Sequence, residues 1–353
     1  MRGSITLNPE PLTPAFDDSQ LASLKKDLDS AKLPRPTYAS NQKEYGIESK
    51  WVAETFEYWK TGGFDWKARE IRLQSLSHFT ADVKDEASET GSFRIHYIAE
   101  YSQDPDAIPL LLLHGCFENG YAAQGGDIGS VLARILSAKY DSCKAININY
   151  MPMAPPDRPE PFAGLNEREI MNVKKALVFA STGRGYANMH GTRPGTIGIV
   201  VQSSPVALLA WLGEKLRDWV DDPLPRDVIL ELVTMWWIQE TFPTSIYAYS
   251  EVRHFILFFP FKRPESVHSG APQLTTGVGA WNRDPDLRLT KPFGFSSFEG
   301  EIASAPESWA AETGNLQWYR YNPRGGHFAA LEQPEVFAEN MRECFAKIWP
   351  AGR

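Results

Sequence analysis

Apolar and polar residues alternate with helical spacing along the first part of the chain. Three leucines share one face of a predicted helix over 19–33, which follows the capping box Asp17-x-x-Gln20. Two more helices are predicted, over 49–61, with Trp51, Phe56 and Trp59 facing inward, and over 64–76. The period then changes to two, which predicts paired strands over 79–85 and 93–102, joined by a polar turn.

A nearly continuous apolar run, "IPLLLLHG" (108–115), then predicts a parallel strand that is covered on both faces. The segment "YAAQGGDIGS" (121–130) is typical of a strand, a sharp turn and the start of a helix, and "CKAININY" (143–150) predicts another strand. A proline-rich segment follows, and then residues 164–260 favour helices. The C-terminal part predicts two strands and a closing amphipathic helix, over 291–302, 316–322 and 335–349. This order indicates an α/β fold with an inserted helical lid.

Composition narrows the class of protein. The 353 residues are 42% hydrophobic and 23% charged, as in an ordinary globular protein. The net charge of −8 argues against nucleic acid as a partner, because phosphate binding needs a basic face. The three cysteines (Cys116, Cys143 and Cys344) match neither a metal site nor a disulfide framework and favour a reducing compartment. With no apolar leader and no run of about 18 apolar residues, we expect a soluble, cytoplasmic protein without a transmembrane segment.

The turn in 121–130 carries the first candidate chemistry. Its spacing Gly125-x-Asp127-x-Gly129 is that of a nucleophile elbow, with aspartate where hydrolases usually have serine. Such an aspartate can attack an electrophilic carbon and form an ester, which a histidine oriented by a second acid then hydrolyses. Glu301 and His327 follow in the required chain order, and Glu299 competes with Glu301 for the role of the acid.

Several segments together resemble the epoxide hydrolase family of microsomal type, in its soluble fungal or bacterial form. The resemblance rests on residues 45–83, on the elbow, on two lid segments that include "GYANMHGTRPGTIG" and "MWWIQETFPTSIYAYSE", and on "FGFSSFEGEIASAPESWA" and "PRGGHFAALEQPE". It implies an α/β-hydrolase fold with a helical lid and a wrapping N-terminal region. The implied divisions are an N-terminal region with the first strands, a first part of the core, the lid and a second part of the core: 1–105, 106–153, 154–274 and 275–353.

The resemblance also implies roles for individual residues. Asp127 would be the nucleophile, His327 the base and Glu301 the acid that orients it. Tyr186 and Tyr249 would hydrogen-bond the epoxide oxygen and protonate the alkoxide, and the Ile128 amide would serve the oxyanion. The implied reaction opens a small apolar epoxide with water to give a vicinal diol, without a metal or a cofactor, and it is compatible with a homodimer.

One departure from the family falls between the first core strand and the elbow. The family follows His-Gly with Trp-Pro and a helix–strand–helix block, whereas here His114-Gly115 runs directly into "CFENGYAAQGGD". The lost block is on the order of fifty residues. We therefore expect the central sheet to lack one strand, with a gap beside "PLLLLHG" or a shift of its register. Since a parallel crossover needs about a dozen residues or more, the short link also argues against the family's full sheet.

The departure leaves alternative interpretations. One is an impaired or inactive family member, a pseudoenzyme or truncated gene product that binds a hydrophobic ligand. Another is an aspartate-nucleophile dehalogenase, which the tyrosine pair disfavours because halide leaves without a proton. Glu299, where the family usually has proline, is a smaller change.

Overall fold

The computed structural model describes residues 8–84, 91–112, 120–251 and 279–350. The predicted turn between the first strands, the junction after Gly115 and the end of the predicted lid lie outside these residues. The chain divides into two units: Met1–Ala107 with Ser204–Leu209 and Arg226–Gln239, and Ile108–Ser203 with Ala210–Pro225 and Glu240–Arg353.

The described residues form helices and strands in the order that an α/β chain with an insertion predicts. The strands are β1 (Glu10–Leu12), β2 (His78–Lys84), β3 (Ser92–Ile98), β4 (Leu110–Leu112), β5 (Tyr121–Gly125), β6 (Cys143–Ile148), β7 (Leu289–Gly300) and β8 (Gly314–Gly326). The α-helices are α1 (Asp18–Ser30), α2 (Ser49–Lys60), α3 (Trp66–Gln74), α4 (Ile128–Lys139), α5 (Glu167–Val178), α6 (Gly185–Thr192), α7 (Pro194–Gln202), α8 (Pro205–Asp218), α9 (Arg226–Gln239), α10 (Phe242–Ser245), α11 (Glu307–Glu312), α12 (Ala329–Glu332) and α13 (Pro334–Ile348).

The first unit confirms the local predictions for the N-terminal segment. The capping box is formed at Asp17 and Gln20, and α1 buries Leu24 and Leu28. Strands β1, β2 and β3 form an antiparallel sheet in that order. Of the predicted inward aromatic residues of α2, Phe56 and Trp59 are buried, whereas Trp51 is half-buried.

Helix α9 joins this unit through polar contacts with α2 and α3. Asp227 accepts hydrogen bonds from the Tyr58 hydroxyl at 2.9 Å and from the Arg69 guanidinium at 2.8 Å. Glu231, which is buried, pairs with Arg72 and lies 3.8 Å from Arg69. Because a buried carboxylate is costly without partners, these arginines account for the burial of Glu231.

The second unit contains a parallel sheet in the order β4-β5-β6-β7-β8. Neighbouring residues of β5 point to opposite faces, as the period of two requires. Ala122 packs in a cluster with Met341 and Phe345 of α13, whereas Ala123 packs in a cluster with Ala133 of α4 and Trp309 of α11. The sheet is therefore covered on both faces, as the continuous apolar runs predict.

The effect of the missing block is seen at strand β4. It pairs in parallel with β5, with Leu110 opposite Ala122 and Leu112 opposite Gln124. Among the described residues its other edge has no strand partner, so β4 is the edge of its sheet. The side chain of Leu112, the last residue of this strand, is 58% exposed, whereas that of Leu111 is buried. Within the described residues, the position beside this strand is therefore open, which is the first of the two predicted outcomes.

The short link nevertheless joins two strands that pair in parallel. Residues 113–120 connect β4 to β5, and eight residues reach at most about 29 Å when extended. The link has to return along the strand by roughly 10 Å, the rise of about three residues. A helix is therefore not required to close this particular pair.

Among the described residues, no single helix has both the length and the apolar character needed to cross a membrane. Helices α7 and α8 meet that test only when taken together, and they are bent by 114° relative to each other.

Restoring a helix–strand–helix block of the family between Gly115 and Cys116 should stabilise the protein. Covering one leucine-sized side chain contributes about 1.5–3 kcal/mol, and the block would cover several. Since each kcal/mol raises Tm by about 2–4 °C in a domain of this size, we expect an increase of ~10 °C or more in a thermal melt. The matched control is a Gly-Ser linker of equal length, which should not raise Tm; equal melting of both insertions would contradict the prediction.

Candidate active site

The turn between β5 and α4 holds Asp127 in an unusual backbone conformation. Its φ is +46° and its ψ is −122°, a combination that costs a non-glycine residue about 1–3 kcal/mol. Gly125 makes the turn fit, because a Cβ at this position would lie 2.1 Å from the Gly129 carbonyl oxygen. The Ser130 hydroxyl donates to the Gly125 carbonyl at 2.8 Å and closes the turn. The carboxylate therefore stands at the carboxyl end of a strand and the N-terminus of a helix, as the elbow spacing predicts.

Ile128 is the first residue of α4, immediately after Asp127. The first amides of a helix have no partner within the helix, and they favour negative charge. The predicted oxyanion donor is therefore at a helix N-terminus beside the candidate nucleophile.

Three carboxyl ends of parallel strands bring the acid, the histidine and the aspartate together. Strand β7 ends directly before Glu301, β8 ends directly before His327, and β5 ends two residues before Asp127. His327 Nδ1 lies 2.7 Å from Glu301 Oε1, and its Nε2 lies 3.7 Å from Asp127 Oδ1. His327 and Glu301 are buried, whereas the side chain of Asp127 is 48% exposed. The imidazole thus bridges a buried acid and an accessible one.

The charges around His327 determine its protonation. Burial alone would lower the pKa of this imidazole, but the charge and hydrogen bond of Glu301, with the charges of Asp127 and Glu332, raise the pKa to about 9. His327 is therefore an imidazolium at neutral pH as long as both neighbouring carboxylates are ionised.

Glu299, the competing acid, points elsewhere. Its carboxylate accepts a hydrogen bond from the Asn172 side chain at 3.4 Å, and its carbonyl accepts one from Lys175. Glu301, not Glu299, is therefore the acid that contacts His327.

The two predicted tyrosines form a pair. Tyr186 lies on α6 and Tyr249 follows α10; their rings meet edge to face at 6.1 Å, and their side chains share a hydrogen bond. Burial, together with the charge of Asp127, raises the pKa of both phenols. Both hydroxyls are therefore neutral donors throughout the physiological pH range.

A buried histidine that the sequence patterns did not indicate packs against this pair. The His190 ring lies 4.8 Å from the ring of Tyr249 and 5.6 Å from that of Tyr186. Its Nε2 accepts a hydrogen bond from Trp211 Nε1 at 3.1 Å, and burial, with the charge of Lys215, lowers its pKa to about 4. His190 is therefore neutral and supports the tyrosine rings without adding charge.

Aromatic rings also surround His327. Trp219, Phe328 and Tyr150 meet its imidazole edge to face at 5.1, 5.2 and 5.5 Å. The sequence patterns did not indicate a role for these residues either. Of the three, Tyr150 was the easiest to predict, because it is the last residue of a predicted strand whose carboxyl end lies at the same sheet edge as the elbow. Trp219 lies in the predicted lid, where no pattern distinguishes it from the other tryptophans.

Among the described residues, no group of three or more His, Cys, Asp or Glu side chains is placed so that it could hold a metal ion.

Comparisons with known proteins identify the family of this chain. Residues 9–119 match the family model "Epoxide hydrolase N terminus". The epoxide hydrolase of Aspergillus niger superposes with a TM-score of 0.82 at 32% identity, covering 98% of both chains. The chain belongs to the epoxide hydrolase family. It has the α/β-hydrolase fold, and the juvenile hormone epoxide hydrolase of the silkworm Bombyx mori shares that fold with a TM-score of 0.79 at 17% identity.

The alignment with another member of the family is relevant to the missing block. A putative epoxide hydrolase of Dothistroma septosporum is 29% identical over 408 aligned positions, which cover 96% of this chain and 90% of the relative. Because the present chain has only 353 residues, the relative carries residues within the matched region that this chain lacks. This difference agrees with the block that the sequence analysis found missing after Gly115.

The raised pKa of His327 predicts a pH-dependent stability. Folding raises this pKa from about 6.5 to about 9, so the stabilisation is complete below pH 6.5 and is lost as the pH rises through 9. The shift corresponds to about 3 kcal/mol. Between pH 6 and pH 9.5, the free energy of unfolding of the native chain should therefore fall by about 3 kcal/mol more than that of His327→Gln. Urea denaturation at both pH values measures this difference, and parallel losses in the two proteins would contradict it.

Proposed function

We propose that this chain hydrolyses epoxides to vicinal diols through an ester formed on Asp127. The position of His327 carries the proposal, with Glu301 at 2.7 Å on one ring nitrogen and Asp127 at 3.7 Å from the other. An accessible carboxylate can attack carbon, and a buried histidine–acid pair beside it can activate water.

In the first step, an oxygen of Asp127 attacks an epoxide carbon and the C–O bond of the ring breaks. The alkoxide takes a proton from Tyr186 or Tyr249, whose raised pKa values keep them protonated until the oxygen becomes basic. Since a phenol donates without carrying charge, the pair suits a pocket walled by aromatic rings.

In the second step, water cleaves the ester. Alkylation removes the negative charge of Asp127, which is one of the charges that raise the pKa of His327. The imidazolium then releases its proton, which replaces the one lost by the tyrosine. Neutral His327 takes a proton from water, the resulting hydroxide attacks the ester carbonyl, and the Ile128 amide stabilises the oxyanion. The diol leaves with Asp127 ionised and His327 protonated, as at the start.

The surroundings of the site favour an apolar substrate. Trp219 contacts both Tyr186 and His327, and Phe179 and Phe328 pack against Trp219. Aromatic walls bind apolar groups well. The alternative of an inactive ligand-binding protein finds no support, because the acid, base, nucleophile and donor pair are all present together.

Separating the two steps tests the mechanism. His327→Gln should still be alkylated but should hydrolyse the ester slowly, so that a covalent adduct accumulates on the peptide that contains Asp127. Mass spectrometry after incubation with an aryl epoxide measures the added mass. Asp127→Ala should give neither adduct nor diol. The absence of an adduct in His327→Gln would count against the nucleophile assignment.

Removing the phenolic hydroxyls tests the donor pair. Tyr186→Phe and Tyr249→Phe should each slow alkylation by roughly 10²–10⁴-fold, and the double variant should abolish it, because the alkoxide would leave without a proton. Rapid-quench measurement of adduct formation gives this rate. The matched control is Tyr247→Phe, an exposed tyrosine of the same segment, which should react at the native rate. Native rates in both active-site variants would exclude the proposed donors.

A further inference from the structure

Glu332 ends α12, the short helix that follows His327, and its carboxylate accepts three hydrogen bonds from backbone amides. Oε1 accepts a hydrogen bond from the Gly326 amide at 3.0 Å, and Oε2 accepts from the Asp221 and Asp222 amides at 2.7 and 3.3 Å. One side chain thus joins the loop that carries His327 to the segment that follows α8.

The same two segments are joined by backbone contacts beside the imidazole. The His327 amide donates to the Trp219 carbonyl at 2.7 Å, and the Gly325 amide donates to Asp221 Oδ2 at 3.1 Å. The fit requires glycine at position 326, because a Cβ there would lie 2.6 Å from the Trp219 carbonyl oxygen. We call residues 219–222, residues 324–327 and Glu332 together the latch.

Outer polar contacts complete the latch. Asp222 accepts hydrogen bonds from Arg324 and from the Gln333 side chain, both at 2.6 Å. The Arg324 and Asp222 side chains are 66% and 40% exposed, so solvent weakens this ion pair. Glu332 is half-buried, and its bonds join a carboxylate to amides, which are stronger contacts. Glu332 is therefore the strongest polar element of the latch.

Through Trp219, the latch contacts residues of both steps of the proposed reaction. The Trp219 ring meets the His327 imidazole at 5.1 Å and the Tyr186 ring at 5.2 Å. The backbone contacts, however, act on His327 directly, whereas Tyr186 is contacted only through the ring of Trp219. A displaced latch should therefore disturb the base more than the proton donors.

We propose that Glu332 is a positioning residue that holds His327 in the geometry needed for ester hydrolysis. This inference rests on the proposed function. A misplacement of about 1 Å in such a group is enough to cost roughly 10²-fold in rate. Glu332 itself touches no reacting atom; its charge contributes to the raised pKa of His327, and its hydrogen bonds hold the amides on both sides of the imidazole.

The decisive variant is Glu332→Gln, which keeps the size of the side chain. Glutamine offers one acceptor oxygen, and its amide group would face a backbone N–H with another N–H. In single-turnover experiments with an aryl epoxide, we expect hydrolysis of the ester to slow by roughly 10- to 100-fold while alkylation stays within about two-fold, so that the adduct on Asp127 accumulates. The matched control is Glu335→Gln, an exposed position just beyond α12, which should leave both rates unchanged.

A purely structural role would give a different result. It would lower Tm and the fraction of active protein, and would leave both rate constants of the active fraction unchanged or reduce them equally; either result overturns the inference. If Glu332→Gln fails to fold, Glu332→Asp decides, because it keeps the charge but is one methylene shorter and should slow hydrolysis selectively. Absence of an adduct in His327→Gln and of diol from the native chain would instead overturn the proposed function.

Discussion

The backbone at Asp127 is held at φ +46°, and the rest of the site is arranged around the carboxylate that this conformation presents. The strain is sustained by the neighbours of β5: the strand pairs with β4 on one side and with β6 on the other, and Gly125 lets α4 approach within the turn. An elbow built on a strand with a single neighbour would have less to hold it. The position of β5 inside its sheet therefore stabilises the strained turn.

The missing block leaves this arrangement in place because of where the site residues lie. Asp127, Glu301 and His327 follow β5, β7 and β8, all of which retain their neighbours in the parallel sheet. The open edge falls on β4, which carries none of the three. The loss therefore acts on the stability of the sheet edge more than on the geometry of the site, and a deficit in folding need not be a deficit in chemistry.

The sequence predicted those features that depend on neighbouring residues or on fixed motifs. The capping box at Asp17, the elbow at Asp127 and the pair of strands β2 and β3 all follow from local spacing, and the family resemblance supplied the tyrosine pair. Trp219 and Glu332 were not predicted, because their roles arise from contacts between segments about a hundred residues apart. The parallel β4–β5 pair is compatible with the short link, because the usual crossover length describes links that contain a helix.

The protonation of His327 shows how the same geometry could serve two steps with opposite requirements. A carboxylate on each side makes the resting imidazole a cation, and a cation cannot accept a proton from water. The proposed alkylation neutralises Asp127 and leaves Glu301 as the only carboxylate in direct contact, which lowers the proton affinity at the moment when a base is needed. Hydrolysis restores the carboxylate and with it the cation. An exposed histidine, screened by solvent, would respond far less to the charge of Asp127, so the burial of His327 is a requirement of this cycle.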